Sequence, residues 1–85
     1  MNRGPAAPRL TLLTRPECGL CEEMLGELQA YGLSHPLPDI DLVDVDSDPL
    51  LQRRYGLKVP VLLLSGAVVC QQRLDPDELA RLLRL

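Results

Sequence analysis

Apolar and polar positions along this chain change period several times, and each change marks an element. "RLTLLT" (Arg9–Thr14) is an apolar run of strand length. Arg15 and Pro16 break it, because proline disfavours helical geometry at the residue before it. From Gly19 onward, Leu20, Met24, Leu28 and Tyr31 recur at helical spacing with Cys21 and Leu25 beside them. Glu22, Glu23 and Glu27 take the other faces, which predicts an amphipathic helix ending near Gly32. "SHPLP" (Ser34–Pro38) reads as a loop. "DIDLVDVD" (Asp39–Asp46) alternates Ile40, Leu42, Val43 and Val45 with aspartates, the pattern of a strand with one wetter face.

The second half continues the alternation. Asp46–Gly56 opens on the capping residues Asp46, Asp48 and Pro49 and closes on Gly56, predicting a short helix. "KVPVLLLSGAVVCQQ" holds two apolar runs around Ser65-Gly66, a hairpin whose second strand turns Val68 and Cys70 inward. In "LDPDELARLLRL", Asp75 caps a last helix, Pro76 takes its first position, and Leu79, Leu82 and Leu83 share a stripe. The order is β-α-β-α-β-β-α. Its first two strands should be parallel through a right-handed crossover and its last two antiparallel. The expected architecture is α/β, a mixed four-stranded sheet with helices on both faces and Leu25, Leu28, Leu79, Leu82 and Leu83 in the core. Residues 1–8, rich in Gly, Pro and Ala, read as a flexible tail ahead of a domain over 9–85.

Composition narrows the function. Eighty-five residues, 46% of them apolar, suffice for one small core. A net charge of −3 with scattered basic residues offers no face for nucleic acid or an anionic membrane. No apolar run approaches the ~18 residues of a membrane span, and the first residues show no hydrophobic leader. Three cysteines, an odd count, argue against a disulfide-stapled secreted fold, so a cytoplasmic protein is expected. No extended exposed apolar stretch demands a dimer, and a monomer is the expectation.

The candidate chemistry lies in "TRPECGLCEEM" (Thr14–Met24). Its cysteine pair reads as a redox centre, as half of a metal site, or as two incidental thiols. A cysteine at a helix start meets free backbone N–H groups and the positive end of the macrodipole, which stabilise its thiolate. Cys18 occupies that end, and Cys21 lies one turn inside on the same face. Cys18 could therefore attack a disulfide and Cys21 resolve the mixed disulfide, with Gly19 and Leu20 leaving the turn uncrowded. Glu17, Glu22 and Glu23 oppose thiolate formation. Arg15 is the nearby cation, either offsetting them and attracting an anionic substrate such as glutathione, or simply solvated in its loop. Zinc would need four ligands, and only Cys70 and His35 remain, so no metal site is expected. His35 reads as a solvated loop residue and Cys70 as a small apolar one. Pro60 cannot donate to a sheet ladder and so belongs at a strand start facing a groove.

A strand, then "CGLC" opening a helix, then "KVPVL" (Lys58–Leu62) at a later strand resembles the thioredoxin fold. More narrowly, residues 9 to 84 are similar to the small glutaredoxin-like proteins of bacteria. The resemblance implies a thiol–disulfide oxidoreductase that reduces protein or glutathione mixed disulfides, with Cys18 as nucleophile and Cys21 as resolving thiol. It also implies that Pro60 is cis against the two sulfurs and that the Val59 backbone hydrogen-bonds the bound peptide. Arg15, Gly19 and Leu20 would complete the substrate site. No cofactor is required, and glutathione is a candidate co-substrate. The chain departs from the family where Gly19 and Leu20 replace the usual proline and tyrosine. It also lacks a Gly-Gly-Asp-like segment before the last helix; Asp75 stands there in a capping position. Leu12 occupies a position where thioredoxins carry a buried acid, which sides with glutaredoxins. Two alternatives stay open: a glutathione-dependent iron–sulfur cluster carrier using Cys18, and a non-catalytic protein-binding module.

Overall fold

The computed structural model describes residues 8–84, so all of the expected tail but Pro8 lies outside the described residues. The elements are β1 (Leu10–Thr14), α1 (Gly19–Ser34), β2 (Ile40–Asp44), α2 (Pro49–Tyr55), β3 (Val61–Leu64), β4 (Ala67–Gln71) and α3 (Pro76–Leu83). They build one mixed sheet in the order β2-β1-β3-β4. β1 runs parallel to β2 and antiparallel to β3, and β3 pairs antiparallel with β4.

Strand alternation divides the core between the two faces of the sheet. Leu10 and Leu12 of β1 join Leu62 of β3, Met24 and Leu28 of α1, and Leu79 of α3 on one face. Leu13, Val61 and Leu63 point the other way and pack with Val45 and Tyr55 of the α2 side. Helices therefore cover both faces, α1 and α3 on one and α2 on the other. Side chains such as Leu12, Leu28, Leu62 and Leu79 are fully buried. Each contributes about 1.5–3 kcal/mol relative to exposure.

Local rules set the ends of most elements. Ser65 and Gly66 both adopt positive φ (49° and 88°), the pattern of the tight turn that matches strand twist. Asp48 accepts from the Leu50 N–H at 2.8 Å and Pro49 follows it, starting α2. Asp75 accepts from the Glu78 N–H at 3.1 Å and Pro76 follows, starting α3. At the outer end of β1, Arg9 grips Asp41 of β2 through two nitrogens, at 3.0 and 2.7 Å.

Four expectations are corrected. α1 does not stop near Gly32 but runs to Ser34, where the His35 N–H bonds the Tyr31 carbonyl and the two rings stack 4.4 Å apart. β2 ends at Asp44: Val45–Ser47 tightens into a 3-10 turn, with Asp44 accepting from the Asp46 N–H and Val45 fully buried. The helix expected from Asp46 thus begins only at Pro49. Finally, Val68 and Cys70 do not share an inward face. Cys70 pairs with Leu62 and Val68 with Leu63, so Val69 is an extra residue, a β-bulge. The bulge sends Val69 into the core and leaves Val68 41% exposed.

Candidate active site

The topology brings "CGLC" and "VP" to one end of the sheet. Leu13 is paired antiparallel with Val61, so the residues that follow β1 lie beside those that precede β3. Cys18 emerges from the first segment, and Val59 and Pro60 from the second. The Val59–Pro60 peptide bond is cis, Pro60 is fully buried, and its carbonyl accepts from the Gln72 N–H at 2.6 Å.

Cys18 is the N-cap of α1. Its backbone is extended (φ −110°, ψ 108°), and its Sγ accepts from the Cys21 N–H at 3.2 Å, the bond a capping oxygen would make. Cys18 and Cys21 are joined as a disulfide across Cα atoms 5.2 Å apart. The two sulfurs differ in access. Cys18 is partly exposed, while Cys21 is 3% exposed and packed beneath the helix start. Gly19 has open space where a Cβ would stand, and Leu20 is 49% exposed, an apolar side chain in water beside the disulfide.

The turn ahead of Cys18 is held from a distance. Arg15 donates through Nε and a terminal nitrogen to both carboxylate oxygens of Asp46, at 2.9 and 3.0 Å. Its other terminal nitrogen donates to the Gly56 carbonyl at 2.8 Å. Gln52 adds a bond to Asp46 at 3.0 Å. The bond from Arg15 holds the Asp46 carboxyl below the usual carboxylate range. The Arg15 guanidinium is thus paired with Asp46 at the surface, with both side chains partly exposed. Between Arg15 and Cys18, Glu17 sits at φ 59°, a left-handed conformation that costs a non-glycine residue about 1–2 kcal/mol.

A cleft of about 450 Å³ opens along the first turns of α1, walled by Leu20, Glu23, Met24 and Glu27 of α1 and by Gln71, Gln72 and Arg73 at and after the end of β4. Nothing in the sequence pattern beyond β4 marks this wall; Gln72, at φ 65°, turns the chain there so that it forms it. His35 lies exposed at the far end of α1, away from the cysteines. Cys70 is a free, half-buried thiol on β4. Burial pushes its pKa up, and a bond from the Asp75 backbone offsets only part of that. Among the described residues, no three His, Cys, Asp or Glu side chains gather as metal ligands. No described helix is long and apolar enough to cross a membrane.

Comparisons with known proteins agree with this fold. The solution structure of protein Ne2328 from Nitrosomonas europaea superposes with a TM-score of 0.79 at 27% identity, over 96% of this chain and 98% of that one. The X-ray structure of protein XcR50 from X. campestris gives a TM-score of 0.62 at 30% identity, over 88% of this chain and 95% of that one. Uncharacterized proteins of Mycobacterium tuberculosis and Mycobacterium bovis are 35% identical over 63 residues. That match spans 69% of this chain and 65% of those relatives' length. The family model described as "Glutaredoxin-like domain (DUF836)" matches residues 9–84, and the chain belongs to that family.

Proposed function

We propose that this protein is a thiol–disulfide oxidoreductase in which Cys18 is the nucleophile and Cys21 the resolving thiol. The observation that carries the reading is the unequal access of two bonded cysteines at a helix start. In the reduced protein, the Cys18 thiolate attacks one sulfur of a substrate disulfide; an S–S bond forms to Cys18 and the other substrate sulfur leaves as a thiolate. Deprotonated Cys21 then attacks Cys18 Sγ. The Cys18–Cys21 bond forms, the second substrate sulfur leaves, and two electrons have passed from dithiol to substrate. The buried sulfur cannot begin this sequence, and the capped, accessible one can.

The substrates are disulfides of proteins or glutathione mixed disulfides. In this reading the Val59 backbone, with the buried Pro60 behind it, bonds the bound chain, while Gly19 and Leu20 leave room for it and give it an apolar contact. Arg15 is paired with Asp46, and an anionic substrate would instead meet the exposed Arg73 in the cleft wall.

The test is equilibration of the pure protein in glutathione redox buffers with counting of free thiols. A reversible two-electron transition between about −270 and −120 mV is expected; Cys18 and Cys21 both free throughout, three thiols counted with Cys70, would overturn the proposal. Cys18→Ser should abolish reductase activity, whereas Cys21→Ser should accumulate mixed disulfides with substrate. Equal loss in both, with no trapped species, would count against the assigned roles.

A further inference from the structure

We infer that Arg15 is a positioning residue for Cys18: through Asp46 and the Gly56 carbonyl it braces the turn that presents the nucleophilic sulfur. This rests on the dithiol reading above. Arg15 lies three residues before Cys18 and touches two segments far along the chain, the turn after β2 and the end of α2. Both anchors are themselves fixed. Asp46 is oriented by its N–H bond to Asp44 and by Gln52, and the Gly56 N–H bonds the Gln52 carbonyl at 2.8 Å.

The turn requires such bracing. Pro16 followed by Glu17 at φ 59° is a conformation a glycine would adopt freely and a glutamate adopts only at a cost. Downstream, α1 holds the turn by the Cys18 carbonyl, which accepts from the Glu22 N–H at 3.1 Å. Upstream, the holding group is Arg15. Without it, Glu17 relaxes toward extended backbone, and Cys18 shifts off the position from which its sulfur reaches the Cys21 N–H and the helix end. Those contacts stabilise the thiolate, so the brace sets how much thiolate is present near neutral pH.

The pH dependence of iodoacetamide alkylation at Cys18, in previously reduced protein, separates three roles. Glu17, Glu22, Glu23 and Arg73 stay unchanged throughout. A brace requires that Arg15→Ala and Asp46→Ala both move the alkylation midpoint to higher pH. Arg15→Ala should slow the reaction three- to tenfold at pH 6 and leave the high-pH limiting rate unchanged. A bare electrostatic role requires opposite signs, since one variant removes a positive charge and the other a negative one. A merely structural role lowers the melting temperature and leaves both midpoints in place. Either of these results overturns the inference. Arg15→Lys keeps the charge and loses the fork, so it should follow Arg15→Ala in part; a wild-type midpoint there also counts against the brace. If the wild-type protein shows no redox transition, the dithiol reading fails instead, which the potential measurement detects separately.

Discussion

Cysteine reactivity in this chain is decided by a few ångströms of surroundings. Cys18 caps a helix at the surface, Cys21 is sealed beneath it, and Cys70 is half-buried on β4 with its thiol pKa raised. After reduction at pH 7, Cys70 should alkylate at least tenfold more slowly than Cys18, read by mass spectrometry of peptides. Equal rates would mean that burial on β4 does not protect the Cys70 thiol. Glycines separate just as sharply. A Cβ at Gly56 would run into the Gln52 carbonyl oxygen, while Gly19 faces open space. Gly56→Ala should cost about 1–3 kcal/mol in urea unfolding, and Gly19→Ala should be neutral or stabilising by up to about 1 kcal/mol. At this scale the sequence showed the cysteines and Pro60 plainly, because spacing and strand order carry them. It did not show that Arg15 meets Asp46, since the partners lie 31 positions apart and aspartates crowd that stretch.

Elements were legible wherever a local rule sets the boundary. Asp75-Pro76 starts α3 as cap and first helical residue, and Ser65-Gly66 makes the hairpin turn, whereas α2, read from Asp46, starts three residues later behind Asp48. Boundaries were misplaced where tertiary packing overrode the pattern. Val45 continues the alternation of β2 yet is drawn into the core beside Tyr55, which closes the strand early. The bulge at Val69 was invisible because "AVVCQQ" alternates equally well with or without an extra residue. Asp75 carries the clearest prediction at this scale. Asp75→Ala should destabilise the protein by about 1 kcal/mol and expose Leu79 to faster exchange. Asp75→Ser should restore most of the loss. An alanine variant as stable as wild type would mean that packing alone holds α3.

For the whole molecule, two Arg–Asp forks tie β1 and its following turn to β2 and beyond, one at either end of the strand. Asp41, Asp46 and Glu78 each have a pKa below the ordinary 3.8 or 4.5, chiefly through side-chain bonds from Arg9, Arg15 and Arg81. A carboxylate whose folded pKa is depressed contributes stability above its unfolded pKa, and that contribution is lost as pH falls through the folded value. Melting temperature should therefore hold from neutral pH down to about 5 and decline below about 4. An Asp41→Asn and Asp46→Asn double variant should show a shallower decline. All three carboxylates are partly exposed, so the effect should shrink in high salt; an unchanged acid limb would assign the decline to other carboxylates.

The bulge in β4 also bears on how copies of the protein behave toward one another. β4 is an outer strand of the sheet, and a straight outer strand offers a ready row of amide and carbonyl groups to any other chain. With Val69 inserted out of register, that row is interrupted midway and the strand bends away from a flat template. At the high local concentrations of a crowded cell, the same residue that fills the core thus guards the sheet against edge-to-edge aggregation.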